Sequence, residues 1–143
     1  MKAQLNNVDR AYLNFIGEAR KALAFLRGWG FSEIEALPTI VRYGKANVEV
    51  DVYHGRQSYE IGLGVSAFGC RYSLGEIIRH FDKEAGNRYR NFVATTAAGV
   101  TTGLGELSVL LDRYARPTLD GDHQVFSTLE RERKAWSEEY GLK

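Results

Sequence analysis

The chain has 143 residues, 44% of them hydrophobic and 26% charged, with 19 Lys and Arg against 18 Asp and Glu and a formal net charge of +1. That length suits one compact domain that buries a core without help from a disulfide or metal, and the single Cys70 points to a reducing, cytosolic setting. The near balance of charge argues against a strongly basic nucleic-acid binder and against a polybasic membrane-surface protein.

Met1 to Asn7 turn polar at once and hold no apolar signal core, so no targeting segment is expected. Val8, Ala11, Tyr12, Phe15, Ile16, Ala19, Leu23 and Leu26 then recur at helical spacing, with Arg10, Glu18, Arg20 and Arg27 mainly elsewhere on the wheel. This predicts an amphipathic helix capped by Asn6 or Asn7 and stopped at Arg27-Gly28, with Gly30 behind it. From Phe31 to Phe68 the period falls to two. Val48, Val50 and Val52 alternate with Glu49, Asp51 and Tyr53, and Tyr59, Ile61, Leu63 and Val65 alternate with Glu60, Gly62, Gly64 and Ser66. His54-Gly55-Arg56-Gln57 reads as the hairpin loop between these runs, and Tyr43-Gly44-Lys45-Ala46 as a two-residue hairpin with glycine first. Residues 31–37 form a candidate first strand, which Pro38 separates from residues 39–43.

Ser73-Leu74-Gly75-Glu76 matches the capping box, with Leu74, Ile77, Ile78 and Phe81 following at helical spacing. A long helix is expected over residues 91–116, packing Val93, Ala97, Val100, Leu104, Leu107, Leu110, Leu111 and Tyr114 and ending at Pro117. Its apolar stretch is too diluted by threonine and glycine to read as a membrane span, and Gly99 and Gly103 set up a close packing step. Phe126, Leu129, Trp136 and Tyr140 mark a last helix, capped by Asp120 or Asp122 or starting at the capping box Ser127-Thr128-Leu129-Glu130. The expected fold is α+β and a single domain over residues 1–143: an N-terminal helix, an antiparallel meander of three to four strands, then three helices packed on the sheet.

Closing Tyr53 to Ser58 sets Val52 opposite Tyr59, Val50 opposite Ile61 and Val48 opposite Leu63, which makes one core face. The same register places Asp51 opposite Glu60 and Arg42 diagonally near Glu49. Like charges directly opposite each other call for a cation, water or partner. The outer face then presents Ile40, Arg42, Glu49, Asp51, Tyr53 and Glu60, either as a solvated face with loose ion pairs or as an acidic, aromatic docking surface.

Catalytic signatures are thin. His54, His80 and His123 are scattered and match no zinc spacing, and Asp120-Gly121-Asp122 is accounted for by a turn and cap. No Walker loop or Gly-x-Ser-x-Gly elbow occurs, and Cys70 has only Arg71 beside it to depress its thiol. No metal, cofactor or catalytic set is therefore assigned. Arg79, Lys83, Arg88 and Arg90 cluster with Tyr89 and Phe92, residue types that grip phosphates and stack bases, though Glu76, Asp82 and Glu84 dilute the charge.

Val41-Arg42-Tyr43, Val48-Glu49-Val50, His54-Gly55-Arg56 with Ser58-Tyr59-Glu60-Ile61, Tyr72-Ser73-Leu74, and Leu119-Asp120-Gly121-Asp122 with Phe126 together resemble small bacterial immunity proteins of polymorphic and contact-dependent toxin systems. The likeness spans roughly residues 25–129 and lies in hydrophobic spacing and short polar turns. It implies a non-enzymatic, cytosolic protein that binds and neutralises a cognate toxin, and it transfers no contact residues. From the register, the contact surface falls on Glu49, Asp51, Tyr53 and Glu60 with the adjacent loop residues His54 and Arg56. Two other readings stand beside it: an enzyme or ligand-binding protein with a pocket between the sheet and the third helix, and a nucleic-acid adaptor built on residues 79–92.

Overall fold

The computed structural model describes residues 12–139. Two helical segments, α1 (Phe15–Ala22) and α2 (Phe25–Gly28), lead into a meander of β1 (Ser32–Leu37), β2 (Ile40–Lys45), β3 (Val48–His54), β4 (Glu60–Ala67) and β5 (Cys70–Ser73). There follow α3 (Leu74–Phe81), α4 (Lys83–Arg88), β6 (Phe92–Val93), α5 (Ala97–Tyr114), α6 (Arg116–Leu119) and α7 (His123–Glu139). The sheet runs β1-β2-β3-β4-β5 in sequence order, all antiparallel, and β6 also pairs with β4. This is the α+β order read from the sequence, with six strands and with helices packed after the sheet. The expected caps Asn6 and Asn7, together with Val8, Arg10, Ala11 and Tyr140, lie outside the described residues.

Local chemistry accounts for most element ends. Gly30, at φ +95°, closes α2 with Gly30 N–H on the Arg27 carbonyl and Phe31 N–H on the Leu26 carbonyl, both 3.0 Å. Pro38-Thr39 forms the tight β1–β2 turn, since Leu37 pairs directly with Ile40. The Ser73 hydroxyl accepts from Glu76 N–H at 3.2 Å while a Glu76 carboxylate oxygen accepts from Ser73 N–H at 3.0 Å, the reciprocal cap expected there. At α7 the cap is Asp122, whose Oδ1 accepts from Gln124 N–H at 2.9 Å, so Ser127 lies inside the helix.

Both hairpin registers differ from expectation by an even step. Lys45 pairs with Val48, which puts Ala46-Asn47 at the turn in place of Gly44-Lys45, with Ala46 at φ +52°. Val50 pairs with Val65, Val52 with Leu63 and His54 with Ile61, four residues along from the expected partners. Tyr59 leaves the strand, adopts φ +59° and sits in the connecting loop, where Gly55 N–H bonds the Glu60 carbonyl at 2.8 Å. Side chains alternate with period two, so a four-residue slide keeps every residue on its own face. The core face is therefore the one read from the sequence, with different neighbours on it.

The long helix also begins later than expected. Residues 91–96 supply β6 and the cap Thr96, whose hydroxyl accepts from Gly99 N–H at 3.0 Å. Pro117 falls in the first turn of α6 and does not simply end a helix. Val100, Leu104, Leu107 and Leu111 of α5 are at most 1% exposed and belong to the same buried core as Val41, Val50, Val52, Ile61 and Val65. Gly103 lets α5 close on strands, not on another helix: a β-carbon there would stand 3.1 Å from Ile61 Cδ1 and 3.3 Å from the Phe92 β-carbon. The space between sheet and long helix, expected as a pocket, is thus filled by core. No helix among the described residues is long and apolar enough to cross a membrane.

Candidate functional site

The face of the sheet turned away from the core is built in transverse rows. Leu37, Ile40, Tyr53 and Gly62 form one row, and Glu35, Arg42, Asp51, Gly64 and Ser73 the next. Gly44, Glu49, Ser66 and Arg71 form a third. Asp51 faces Gly64, not Glu60. The missing side chain of Gly64 leaves room for the Arg71 guanidinium, and a β-carbon at that position would collide with it. Arg71 crosses the gap to donate two hydrogen bonds to Asp51, at 2.8 and 2.7 Å. That bond raises the Arg71 pKa and keeps its charge fixed. Asp51 is 5% exposed beneath it. Arg42, expected near Glu49, instead bonds Glu35 at 2.7 Å. The expected like-charge clash is therefore absent, and the face carries alternating charge.

The residues singled out from the sequence divide accordingly. Glu49 is exposed and has no hydrogen bond or ion pair among the described residues. Tyr53 is half-buried, with its ring across Gly62 and the Arg71 guanidinium 5.7 Å from its centroid. Arg56 is exposed on the β3–β4 loop. His54 is not in that loop: it ends β3 on the core face, fully buried, stacked on Phe15 at 5.7 Å and donating from Nε2 to the Ala94 carbonyl at 2.8 Å. It holds β6 and α1 against the sheet and has no place on the open face. Glu60 pairs with Val93 of β6, and its carboxylate accepts from Asn91 Nδ2 at 3.2 Å.

A cleft opens where the edge of β4 divides. On that edge β5 pairs with Gly64 to Ala67 and β6 with Glu60 and Ile61, leaving Gly62 and Leu63 without a strand partner while the chain detours through α3 and α4. The space has a volume of about 660 Å³ and is walled by Tyr53, Glu60, Arg79, Tyr89, Arg90 and Trp136. Close approaches shape it. Gly86 of α4 lies on the backbone of Arg79, where a β-carbon would collide, and a β-carbon on Gly75 would meet the Tyr89 ring at 3.1 Å. Tyr89 donates to Asn91 Oδ1 at 3.2 Å, and Asn91 donates to both the Tyr53 hydroxyl and Glu60. Burial, with the Tyr53 phenol nearby, pushes the Tyr89 hydroxyl up to about 12, so it remains a donor at neutral pH.

Helix α7 braces this corner. Arg133 donates to both Glu76 oxygens at 2.9 and 2.7 Å and to the Arg71 carbonyl at 2.7 Å, and its guanidinium lies 4.4 Å from the Tyr72 ring. Tyr72 donates to Glu130 at 2.6 Å. Burial and that carboxylate raise its pKa. None of these pairings was read from the sequence, because their partners lie 57 to 62 residues apart. The available signal was Gly62 and Gly64 alternating on the outward side of β4, which marks a strip where neighbouring side chains can lie flat. Among the described residues no group of three or more His, Cys, Asp and Glu could hold a metal ion. Comparison with known proteins finds no matching family model, no matching curated protein and no matching solved structure.

Proposed function

We propose that this chain acts by binding another protein, and that it is an immunity protein which neutralises a cognate toxin domain by direct association through the outward face of its sheet. The observation that carries the reading is the composition of that face. Ile34 and Leu37 are 53% and 45% exposed, Tyr53 stands half-open beside them, and the unpaired Glu49 lies across the Asp51–Arg71 pair. Interfaces use such a mixture: apolar and aromatic anchors supply desolvation energy, and charges set register and encounter rate. The bidentate Arg71–Asp51 bonds hold part of the surface in one arrangement before contact, which lowers the ordering cost of association. Glu49 suits a partner with basic groups at its rim, whereas Asp51 is already neutralised by Arg71.

The test is to look immediately upstream for a gene that encodes a large secreted protein with a variable C-terminal domain, and to co-express that domain with this chain. Co-purification as a stoichiometric complex, with rescue of cells from that domain's toxicity, is the expected result. Absence of a complex and of rescue overturns the proposal.

A further inference from the structure

The cleft at the divided edge of β4 has a chemistry that the outward sheet face does not share. The basic cluster at residues 79–92 resolves there into distinct roles. Arg88 pairs with Glu84 at 3.5 Å, and Phe92 turns inward to pack beside Gly103. Arg79 and Arg90 remain on the cleft wall without a carboxylate partner among the described residues. Arg79 lies over the Trp136 ring at 5.2 Å, and Arg90 donates only to the carbonyls of Asn87 and Tyr89, at 2.9 and 2.8 Å. The wall's two carboxylates do not cancel them. Glu76 is saturated by Arg133 and Ser73, and Glu60 engages one oxygen with Asn91. Two arginines thus line a cleft that also offers aromatic walls and one open carboxylate oxygen.

We propose that this cleft binds a small anion of the nucleoside monophosphate class: a phosphate joined to a planar heteroaromatic ring that carries N–H donors. Guanidinium groups match phosphate oxygens in planar, paired hydrogen bonds. Tyr53 and Tyr89 line the cleft with ring surface for a base, while the Trp136 ring is already covered by Arg79. The open oxygen of Glu60 accepts from ring N–H groups, and the Tyr53 hydroxyl, whose oxygen takes the Asn91 amide, keeps its own proton to donate. A volume of about 660 Å³ falls inside the span of roughly 300–1,000 Å³ usual for small-ligand sites. A bare phosphate would leave the aromatic walls unused, and a neutral sugar would leave both guanidinium groups uncompensated. The gap on the β4 edge is only two residues long, Gly62 and Leu63, which suits a single nucleotide better than a continuous strand.

Isothermal titration at low ionic strength, with guanosine 5′-monophosphate, guanosine and inorganic phosphate as separate probes, tests the proposal. The monophosphate is expected to bind at least tenfold more tightly than either of its parts. Arg79→Gln with Arg90→Gln should weaken the monophosphate at least tenfold, and Arg113→Gln, a charge loss on α5 away from the cleft, should not. Glu60→Gln should weaken the monophosphate several-fold and leave inorganic phosphate unchanged. Circular dichroism confirms that the variants are folded. Equal affinity for monophosphate and inorganic phosphate, no effect of the arginine pair, or no binding at millimolar concentration overturns the proposal. A guanosine-containing oligonucleotide binding a hundredfold more tightly than the monophosphate, with steep salt dependence, would overturn it in favour of a nucleic-acid surface. Toxin association is read separately, so either function can fail without the other.

Discussion

On β3 the side chains of Val48, Val50 and Val52 are at most 4% exposed, whereas their alternate neighbours Glu49, Asp51 and Tyr53 stand on the other side of the same strand, away from the helices. The first set is held by non-directional apolar packing in the core between the sheet and the helices, where shape and volume decide stability. The second is held by directed bonds: Glu35 to Arg42, Arg71 to Asp51, and Asn91 to Tyr53 and Glu60. One face therefore has to be apolar, and the other has to be mutually paired. Only the second retains groups whose chemistry is available to a partner.

The largest effects should come from breaking the packed face. Val50 is fully buried beneath the helices, and Val50→Asp places an unpaired carboxylate there, so the variant should be largely unfolded by circular dichroism at 25 °C. Leu107→Ala, also fully buried, should cost about 2–5 kcal/mol in urea denaturation and leave a folded protein. A loss under 1 kcal/mol would mean that α5 does not sit tightly on the sheet.

The paired face should respond less. Arg71→Ala leaves Asp51 unpaired and opens the cover over it to water. Because the Arg71 side chain is 42% exposed, the expected loss is about 1–3 kcal/mol, below that of a fully buried pair. Acid should act on the bracing corner in the same way. Burial pushes the Glu76 carboxyl up, but the Arg133 guanidinium and the Ser73 amide outweigh it and hold the group below the ordinary carboxylate range. A depressed folded-state pKa contributes stability above the unfolded value and loses it as pH falls through the folded one. The melting temperature should thus drop below about pH 4.3, the ordinary glutamate value, and drop less steeply in Glu76→Gln. The smallest change concerns the β2–β3 turn. Ala46→Gly removes the penalty of a left-handed alanine and should stabilise the hairpin by up to about 1 kcal/mol in thermal denaturation.

The same contrast explains what could be read from the residues alone. The two faces were legible because alternation in Val48 to Tyr53 and Ile61 to Ser66 is local, and any even slide of a strand preserves it. Register was not, because Gly44 has turn composition without being a turn centre, the β3–β4 loop runs on through Ser58 and Tyr59 beyond His54-Gly55-Arg56-Gln57, and alternation cannot tell a slide of four from none. The reciprocal Ser73–Glu76 cap was visible, but the grip of Arg133 on Glu76 joins residues far apart in the chain. The divided edge of β4 was hidden for a similar reason. It depends on β6, two residues long, pairing with Glu60 and Ile61 more than thirty positions earlier. Of the anticipated docking residues, Glu49, Tyr53 and Arg56 retain exposed or half-open positions, Glu60 moves to the cleft, Asp51 is claimed by Arg71, and His54 belongs to the core.

The proposed function requires the exposed groups of the outward face, Leu37 and Glu49 among them, to serve recognition while contributing little to folding. The most direct measurement pairs Leu37→Asp with Glu49→Lys, both at exposed positions outside the cleft, and determines toxin-domain affinity and melting temperature on the same preparation. The account predicts at least a hundredfold weaker binding with a melting temperature within a few degrees of the parent, since exposed substitutions away from packed features change stability by about 0.5 kcal/mol or less. Unchanged affinity in this doubly substituted, folded protein would contradict it.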